Sequence, residues 1–285
     1  MEPPIEKYPP KENQTVTERV WLFDVDGVIT NPQEKKVTDS EILDQLIRRL
    51  KSGEPVALVT GRSLKFLKDR VVGPLSEKLE DKSYLVDLLI VGEKGGAKVT
   101  FNQKGELQEL LDQSLRVFSP LREEVKHVVD ENFASLMFFD DSKMTMISIE
   151  MRDGAKLEDF WSKQGKLGKI LQGLLTKYNL YGQLRVDATT IATDVEDKKV
   201  GKAHASSRVL DWLKERNIKP RGFVVVGDSQ SDLDMAKEID RNNFPVEFIY
   251  VGEAQRLRAK DVSFPVVSTK AQYEKGTLEY LRSSN

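Results

Sequence analysis

Two aspartates one residue apart, Asp24 and Asp26 in "WLFDVDGVIT", follow directly on an apolar run. Four more polar positions stand at the ends or starts of elements. Thr60 ends "PVALVT", Asp228 and Asp232 follow "GFVVV" in "VVVGDSQSDLD", and Lys202 opens the helical pattern "GKAHA". Carboxylates are costly at the edge of a core unless a cation or a hydrogen-bond network compensates them. Gathered at one edge, Asp24, Asp228 and Asp232 make an acidic cluster whose mutual repulsion calls for a positive charge. The chain has no cysteine and two histidines, His127 and His204, which excludes thiolate catalysis and leaves little room for a histidine zinc site. An all-oxygen ligand set suits a hard ion, Mg²⁺ by availability.

A Mg²⁺ held by few protein oxygens keeps positions open for water and a substrate phosphate. Thr60 and the amides around Gly61, leading into a helix, can receive phosphate oxygens. A lysine can add positive charge; Lys198, Lys199 and Lys202 are the choices, and Lys202 matches a helix-opening segment best. In such a field an Asp24 carboxylate can attack phosphorus to form an aspartyl phosphate. Asp26 can protonate the leaving oxygen and then deprotonate the hydrolytic water. Each residue also has a plain structural alternative. Thr60 can cap a helix, Asp228 and Asp232 can be helix-start acids, and Lys202 can be an exposed helix lysine.

The elements that must position these residues alternate. "VWLFDV", "PVALVTG", "GFVVVGD" and "VEFIYVG" read as buried strands. Between them "DSEILDQLIRRLKSG", "SLKFLKDRVVG", "GKAHASSRVLDWLKERN" and "SDLDMAKEI" read as helices; the first has Asp39 or Ser40 as N-cap and Gly53 as its stop. "AQYEKGTLEYLRSS" closes the chain as a helix. Strands separated by helices predict an α/β fold with a Rossmann-like parallel sheet, and in such sheets chemistry gathers beyond the carboxyl ends of the strands.

The middle has a different texture. "LLIVGEKGGAKVTFNQKGELQEL" reads as a strand, a Gly-rich bend and a hairpin turning at "NQKG", "MTMISIEM" as a half-exposed strand, and "LEDFWSKQGKLGKILQGLLTKYN" as a helix before the strand-rich "GQLRVDATTIATDV". The expected layout is an arm over 1–19, a core over 20–83 and 197–285, and an inserted α+β domain over 84–196. Arg62, Lys94 in "GEKGGAK" and Arg152 in "SIEMRDG" are the candidates for substrate contact; a tight glycine turn and a solvated charge are the alternatives for the last two.

The ordered set "DVDGV", "LVTGR", the lysine-rich "DKKVGKA" and "GDSQSD" resembles the haloacid dehalogenase-like superfamily of phosphohydrolases, over roughly residues 20 to 283. That resemblance implies Asp24 as nucleophile, Asp26 as general acid/base, and Thr60 and Lys202 as phosphate-binding residues. It implies Mg²⁺ ligation by Asp24, the Asp26 backbone carbonyl and Asp228, with Asp232 in a direct or supporting role. Only 36 positions separate Asp24 from Thr60 while 142 separate Thr60 from Lys202. A large insert there resembles the C2-type cap of the Cof-type group and of the sucrose-, trehalose- and mannosylglycerate-phosphate phosphatases and phosphomannomutases.

A net charge of −2 argues against a broad nucleic-acid-binding face, and no apolar run approaches a membrane span. The N-terminus lacks the apolar stretch of a secretory signal, so a cytoplasmic location is expected. The expectation is a Mg²⁺-dependent phosphohydrolase of a small phosphorylated metabolite, first a sugar phosphate. A phosphomutase and a non-catalytic phosphate-binding regulator are the alternatives.

Overall fold

A computed structural model describes residues 14–259 and 262–284. The chain opens with β1 (Thr15–Thr17), β2 (Val20–Phe23), α1 (Glu41–Lys51) and β3 (Val56–Val59). Short helices α2 (Leu64–Leu67) and α3 (Gly73–Lys78) flank a wide π turn over Lys68–Val72, where Pro74 cannot supply the backbone donor of a regular helix. β4 (Leu88–Gly92), β5 (Ala97–Phe101) and β6 (Leu107–Leu111) follow. Next come α4 (Ser119–Asn132), β7 (Met137–Phe139), β8 (Ile147–Met151), α5 (Leu157–Lys177), β9 (Leu184–Ala188) and β10 (Ala192–Asp197). The last stretch holds α6 (Lys202–Glu215), β11 (Ile218–Pro220), β12 (Phe223–Gly227), α7 (Leu233–Arg241), β13 (Val246–Tyr250), β14 (Val266–Ser268) and α8 (Tyr273–Ser283).

Two compact units result, one from residues up to Leu110 and from Gly201 onward, the other from Leu111–Val200. The first is built on an eight-stranded sheet in the order β14-β13-β12-β2-β3-β4-β5-β6. Its strands pair in parallel from β14 through β4, and β5 returns antiparallel to β4. Every residue of β2, β3, β4 and β12 is buried, which is why these strands are continuous apolar runs and not alternating ones. On one face Val209, Trp212 and Leu213 of α6 pack over Leu22, Val59 and Val225. On the other, Trp21 stacks with Phe23 at 6.1 Å and meets Tyr280 of α8 edge-on. Each such buried aliphatic side chain contributes roughly 1.5–3 kcal/mol, so the strand ends are anchored.

The chain runs outward from β2 through β3 and β4 on one side, and from β12 through β13 and β14 on the other. The order therefore reverses at the β2/β12 pair. This is the crevice where doubly wound sheets receive ligands.

The second unit is a four-stranded antiparallel sheet in the order β7-β8-β10-β9. Ile147, Ile149 and Val195 face Val125 and Val129 of α4 and Leu167 and Leu171 of α5. The alternate residues of β8 and β10 are polar: Ser148 Oγ accepts from Lys143 Nζ of the β7–β8 connection (3.0 Å) and donates to Asp194 Oδ1 (2.6 Å), and the buried Glu196 pairs with the partly exposed Arg185 at 2.7 Å.

Two expectations change. The stretch 84–110, read from sequence as the start of the insert, supplies β4, β5 and most of β6 to the large sheet, and the second unit begins at Leu111 and runs to Val200. The Gly-rich bend after β4 looks like a domain entry, but it turns the chain back onto its own sheet. Within the 1–19 arm, Thr15–Thr17 is a strand paired in parallel with Ile218–Pro220; residues 1–13 lie outside the described residues. The N-cap left open between Asp39 and Ser40 is served by Asp39, whose carboxylate accepts from Glu41 N at 3.0 Å. Among the described residues no helix is long and apolar enough to cross a membrane.

Candidate active site

Asp24 is the residue after β2, and its backbone N–H continues the ladder by donating to Val226 O at 3.0 Å. The chain then folds sharply on the Val25 carbonyl, which accepts from Ile29 N (3.0 Å), Thr30 N (2.9 Å) and Thr30 Oγ1 (3.1 Å). Gly27 N closes the loop onto Thr30 O. This turn leaves Asp24 and Asp26 at the carboxyl end of the central strand with a fixed backbone. Gly27 itself has φ +75°, and a Cβ there would lie 2.4 Å from Asp228 Oδ2. The two acidic loops touch at that glycine.

Asp24 is 8% exposed, and its Oδ1 accepts from Lys202 Nζ at 2.5 Å. The same ammonium lies 2.8 Å from Asp232 Oδ1 and donates to Val59 O at 3.1 Å. Among the three candidate lysines, Lys202 is therefore the one that reaches Asp24. Lys198 and Lys199 belong to the second unit, where Lys198 Nζ donates to Tyr181 O and Lys199 N to Asp197 Oδ1.

Asp232 is fully buried, and its Oδ2 accepts from Asp228 N (3.2 Å), Ser229 N (3.0 Å) and Ser229 Oγ (2.7 Å). It ties down the loop that carries Asp228. Asp24, Asp228 and Asp232 each offer a carboxylate oxygen within 4.8 Å of the others. Burial, then Asp232, push the Asp24 carboxyl well above the ordinary range against the opposing pull of Lys202. Burial and Asp232 likewise push Asp228 up to about 7. Lys202 is raised: burial disfavours its charge, but Asp232 and Asp24 outweigh that. Three carboxyls around one ammonium are short of positive charge, and an oxygen cage short of charge fits a hard divalent cation. Asp24 and Asp228 carry the raised proton affinities such an ion would relieve, while both Asp232 oxygens already face donors.

Thr60 is buried at the end of β3. Its N–H donates to Val91 O, its carbonyl accepts from Lys94 N, and its Oγ1 accepts from Arg62 N at 3.1 Å. A Cβ on Gly61 would sit 3.6 Å from the Lys94 stem, so that stem crosses the Thr60–Gly61 turn. Lys94 has φ +54°, and its carbonyl accepts from Gly201 N at 3.0 Å, beside the head of α6. Arg62 donates to both carboxylate oxygens of Asp26. The structure thus brings Asp24, Asp26, Thr60, Gly61, Arg62, Lys94, Lys202, Asp228 and Asp232 into one unit, at the ends of β2, β3, β4 and β12 and the head of α6.

Arg152 lies in the second unit, where its guanidinium donates to Ala134 O and lies against Phe138. A second acidic group, Asp187, Asp194 and Glu196, also lies in that unit. Its signal in the sequence is "ATDVED", where acids alternate with Thr193 and Val195 as a strand with one polar face requires.

No family model matches the chain, and no curated protein matches it by sequence. Solved structures match its fold. A haloacid dehalogenase-like hydrolase from Bacteroides thetaiotaomicron is 13% identical with a TM-score of 0.64, over 94% of this chain and all of that one. The C-terminal domain of trehalose-6-phosphate phosphatase from C. albicans is 17% identical with a TM-score of 0.62, over 93% and 91%. Sucrose-phosphatase from Synechocystis, solved with sucrose and phosphate, is 15% identical with a TM-score of 0.53, over 93% and 97%. The chain has the Rossmann-like fold of haloacid dehalogenase-like proteins.

Proposed function

We propose that the chain is a Mg²⁺-dependent phosphoric monoester hydrolase that acts on a small phosphorylated metabolite, first a sugar phosphate, through a phosphorylated Asp24. The observation that carries this reading is the placement of Asp24 at the β2/β12 reversal, 2.5 Å from Lys202 and within 4.8 Å of Asp228 and Asp232. Two of the fold's neighbours are named as sugar phosphatases, which favours that substrate class over others the same fold could serve.

Asp24, Asp228 and the backbone carbonyl of Asp26 would hold Mg²⁺, which when bound neutralises charge on the carboxylates and on the transferring phosphoryl group. Asp232 holds the Asp228 loop and the Lys202 ammonium in place. Thr60 Oγ1, the Gly61 amide and Lys202 receive phosphoryl oxygens. Asp24 forms the bond to phosphorus as the ester P–O bond breaks, and the Asp26 carboxyl gives its proton to the leaving oxygen. Water then attacks phosphorus, its proton passes to Asp26, and the Asp24–phosphorus bond breaks. Asp26 ends with the proton it gave. The second unit, Leu111–Val200, is assigned as the cap that selects the leaving group.

Phosphate release from a panel of sugar, nucleotide, cofactor and aryl phosphates, with Mg²⁺ and with chelator, tests this function. Release that needs Mg²⁺ and is fastest on a sugar phosphate is expected. No release from any substrate while Mg²⁺ still binds sinks the hydrolase reading in favour of a mutase or a sensor.

A further inference from the structure

Arg62, a candidate for substrate contact by its place in the sequence, donates to the Asp26 carboxylate. Its backbone is fixed on both sides: its N–H donates to Thr60 Oγ1 at 3.1 Å, and its carbonyl accepts from Glu93 N at 3.0 Å. From there its guanidinium reaches across to Asp26. Nε lies 3.0 Å from Oδ2 and 3.2 Å from Oδ1, and Nη2 lies 3.0 Å from Oδ1. The guanidinium also lies 4.8 Å from the centre of the Phe66 ring, which supports its plane. The Arg62 side chain is 17% exposed and that of Asp26 36%.

The two motif aspartates are therefore held by different cations. Asp24 has the point charge of Lys202, which can turn toward a phosphoryl oxygen. Asp26 has a planar fork, which fixes the plane and direction of a carboxyl group. A partly exposed aspartate with no such partner samples several side-chain rotamers, and the bidentate contact leaves one. Acid–base catalysis depends on that, because a misplacement of about 1 Å can cost about 10²-fold in rate.

We propose that Arg62 is a positioning residue that sets the orientation of the Asp26 carboxyl for proton transfer. The proposal rests on the role given to Asp26 above. In the first half-reaction the Asp26 proton goes to the ester oxygen as its bond to phosphorus breaks. In the second, Asp26 takes a proton from the attacking water as the Asp24–phosphorus bond breaks. Arg62 exchanges no proton or electron pair in either step.

The role has a signature that phosphate binding lacks. A sugar alkoxide is a poor leaving group and needs the proton, whereas a nitrophenolate leaves without it. The value of kcat/KM reports only the steps through phosphorylation of Asp24, so it isolates the acid role. For Arg62→Gln, kcat/KM on the best sugar phosphate of the panel is expected to fall about 10²-fold. On nitrophenyl phosphate it is expected to fall less than about 3-fold, and in an Asp26→Ala background the added Arg62→Gln is expected to cost no more than that on either substrate. Arg62→Lys keeps the charge without the fork and is expected to show the same substrate-dependent loss, with a wild-type circular dichroism spectrum. Equal losses on both substrates, or a full further loss in the Asp26→Ala background, would overturn the proposal and make Arg62 a phosphate ligand. Wild type that cleaves neither substrate would overturn the hydrolase reading itself, and this inference with it.

Discussion

Gly27 and Asp228 meet so closely that a Cβ at position 27 would lie 2.4 Å from the Asp228 carboxylate oxygen. Gly27 also has φ +75°, where a side chain is strained. Gly53, just past α1, has nearly the same φ of +72° with nothing within 4 Å of a Cβ. The pair separates backbone strain from contact. Gly53→Ala is expected to cost about 1 kcal/mol of stability and leave phosphate release unchanged. Gly27→Ala is expected to cost at least as much stability and, by displacing Asp228, to lower kcat/KM by about 10²-fold. Denaturant unfolding and phosphate release on both variants check this; equal activity in the two would show that the contact is immaterial.

Lys202 is the buried cation between Asp24 and Asp232. Removing one partner of a buried pair leaves the others uncompensated, at a cost of about 3 kcal/mol or more. Lys202→Met is therefore expected to lower the unfolding free energy by about that amount and to abolish measurable phosphate release. Lys198→Met and Lys199→Met are expected to leave both unchanged within about 0.5 kcal/mol. A stable, active Lys202→Met protein would show that another group balances Asp24.

Metal and protons compete for the same carboxyls. Asp228 is pushed from its ordinary 3.8 up to about 7, chiefly by burial and then by Asp232. Without metal the folded chain holds this proton more tightly than the unfolded chain does. That contribution to stability is complete below about pH 4 and is lost as pH rises toward 7, a difference on the order of a few kcal/mol. Mg²⁺ must displace the proton, so its stabilising effect is expected to be small at pH 5 and to grow through pH 7. Melting temperatures with Mg²⁺ and with chelator across that range check it. A Mg²⁺ effect independent of pH would mean that the ion binds away from Asp24 and Asp228.

The strand-end residues were readable in the sequence because burial and chemistry both leave local marks there. "VWLFDVDG" and "GFVVVGDS" pass from fully apolar to acidic within one or two residues, as a strand leaving a core does. The helices α1, α6, α7 and α8 carried their spacing openly. The edge of the large sheet was not readable. β5 and β6 follow a bend at Glu93 and Lys94, both with positive φ though neither is glycine, and the side on which a returning strand packs depends on tertiary contact. The β1 strand of three residues, with Val16 52% exposed, is too short and too polar to announce itself. The Arg62–Asp26 fork joins positions 36 apart through the turn geometry of two strands, and no pattern in either segment encodes it. The polar face of the second unit hid for a related reason: Lys143, Ser148 and Asp194 are compatible with exposure until the sheet brings them together.

In the proposed reaction the phosphoryl group passes to Asp24 before it reaches water. Wild-type protein given radiolabelled substrate and quenched in acid within a turnover is expected to carry label on the peptide containing Asp24. That label should be removed by hydroxylamine, as an acyl phosphate is, and should be absent from Asp24→Asn. Label on another peptide, or an Asp24→Asn protein that releases phosphate at the wild-type rate, would contradict it.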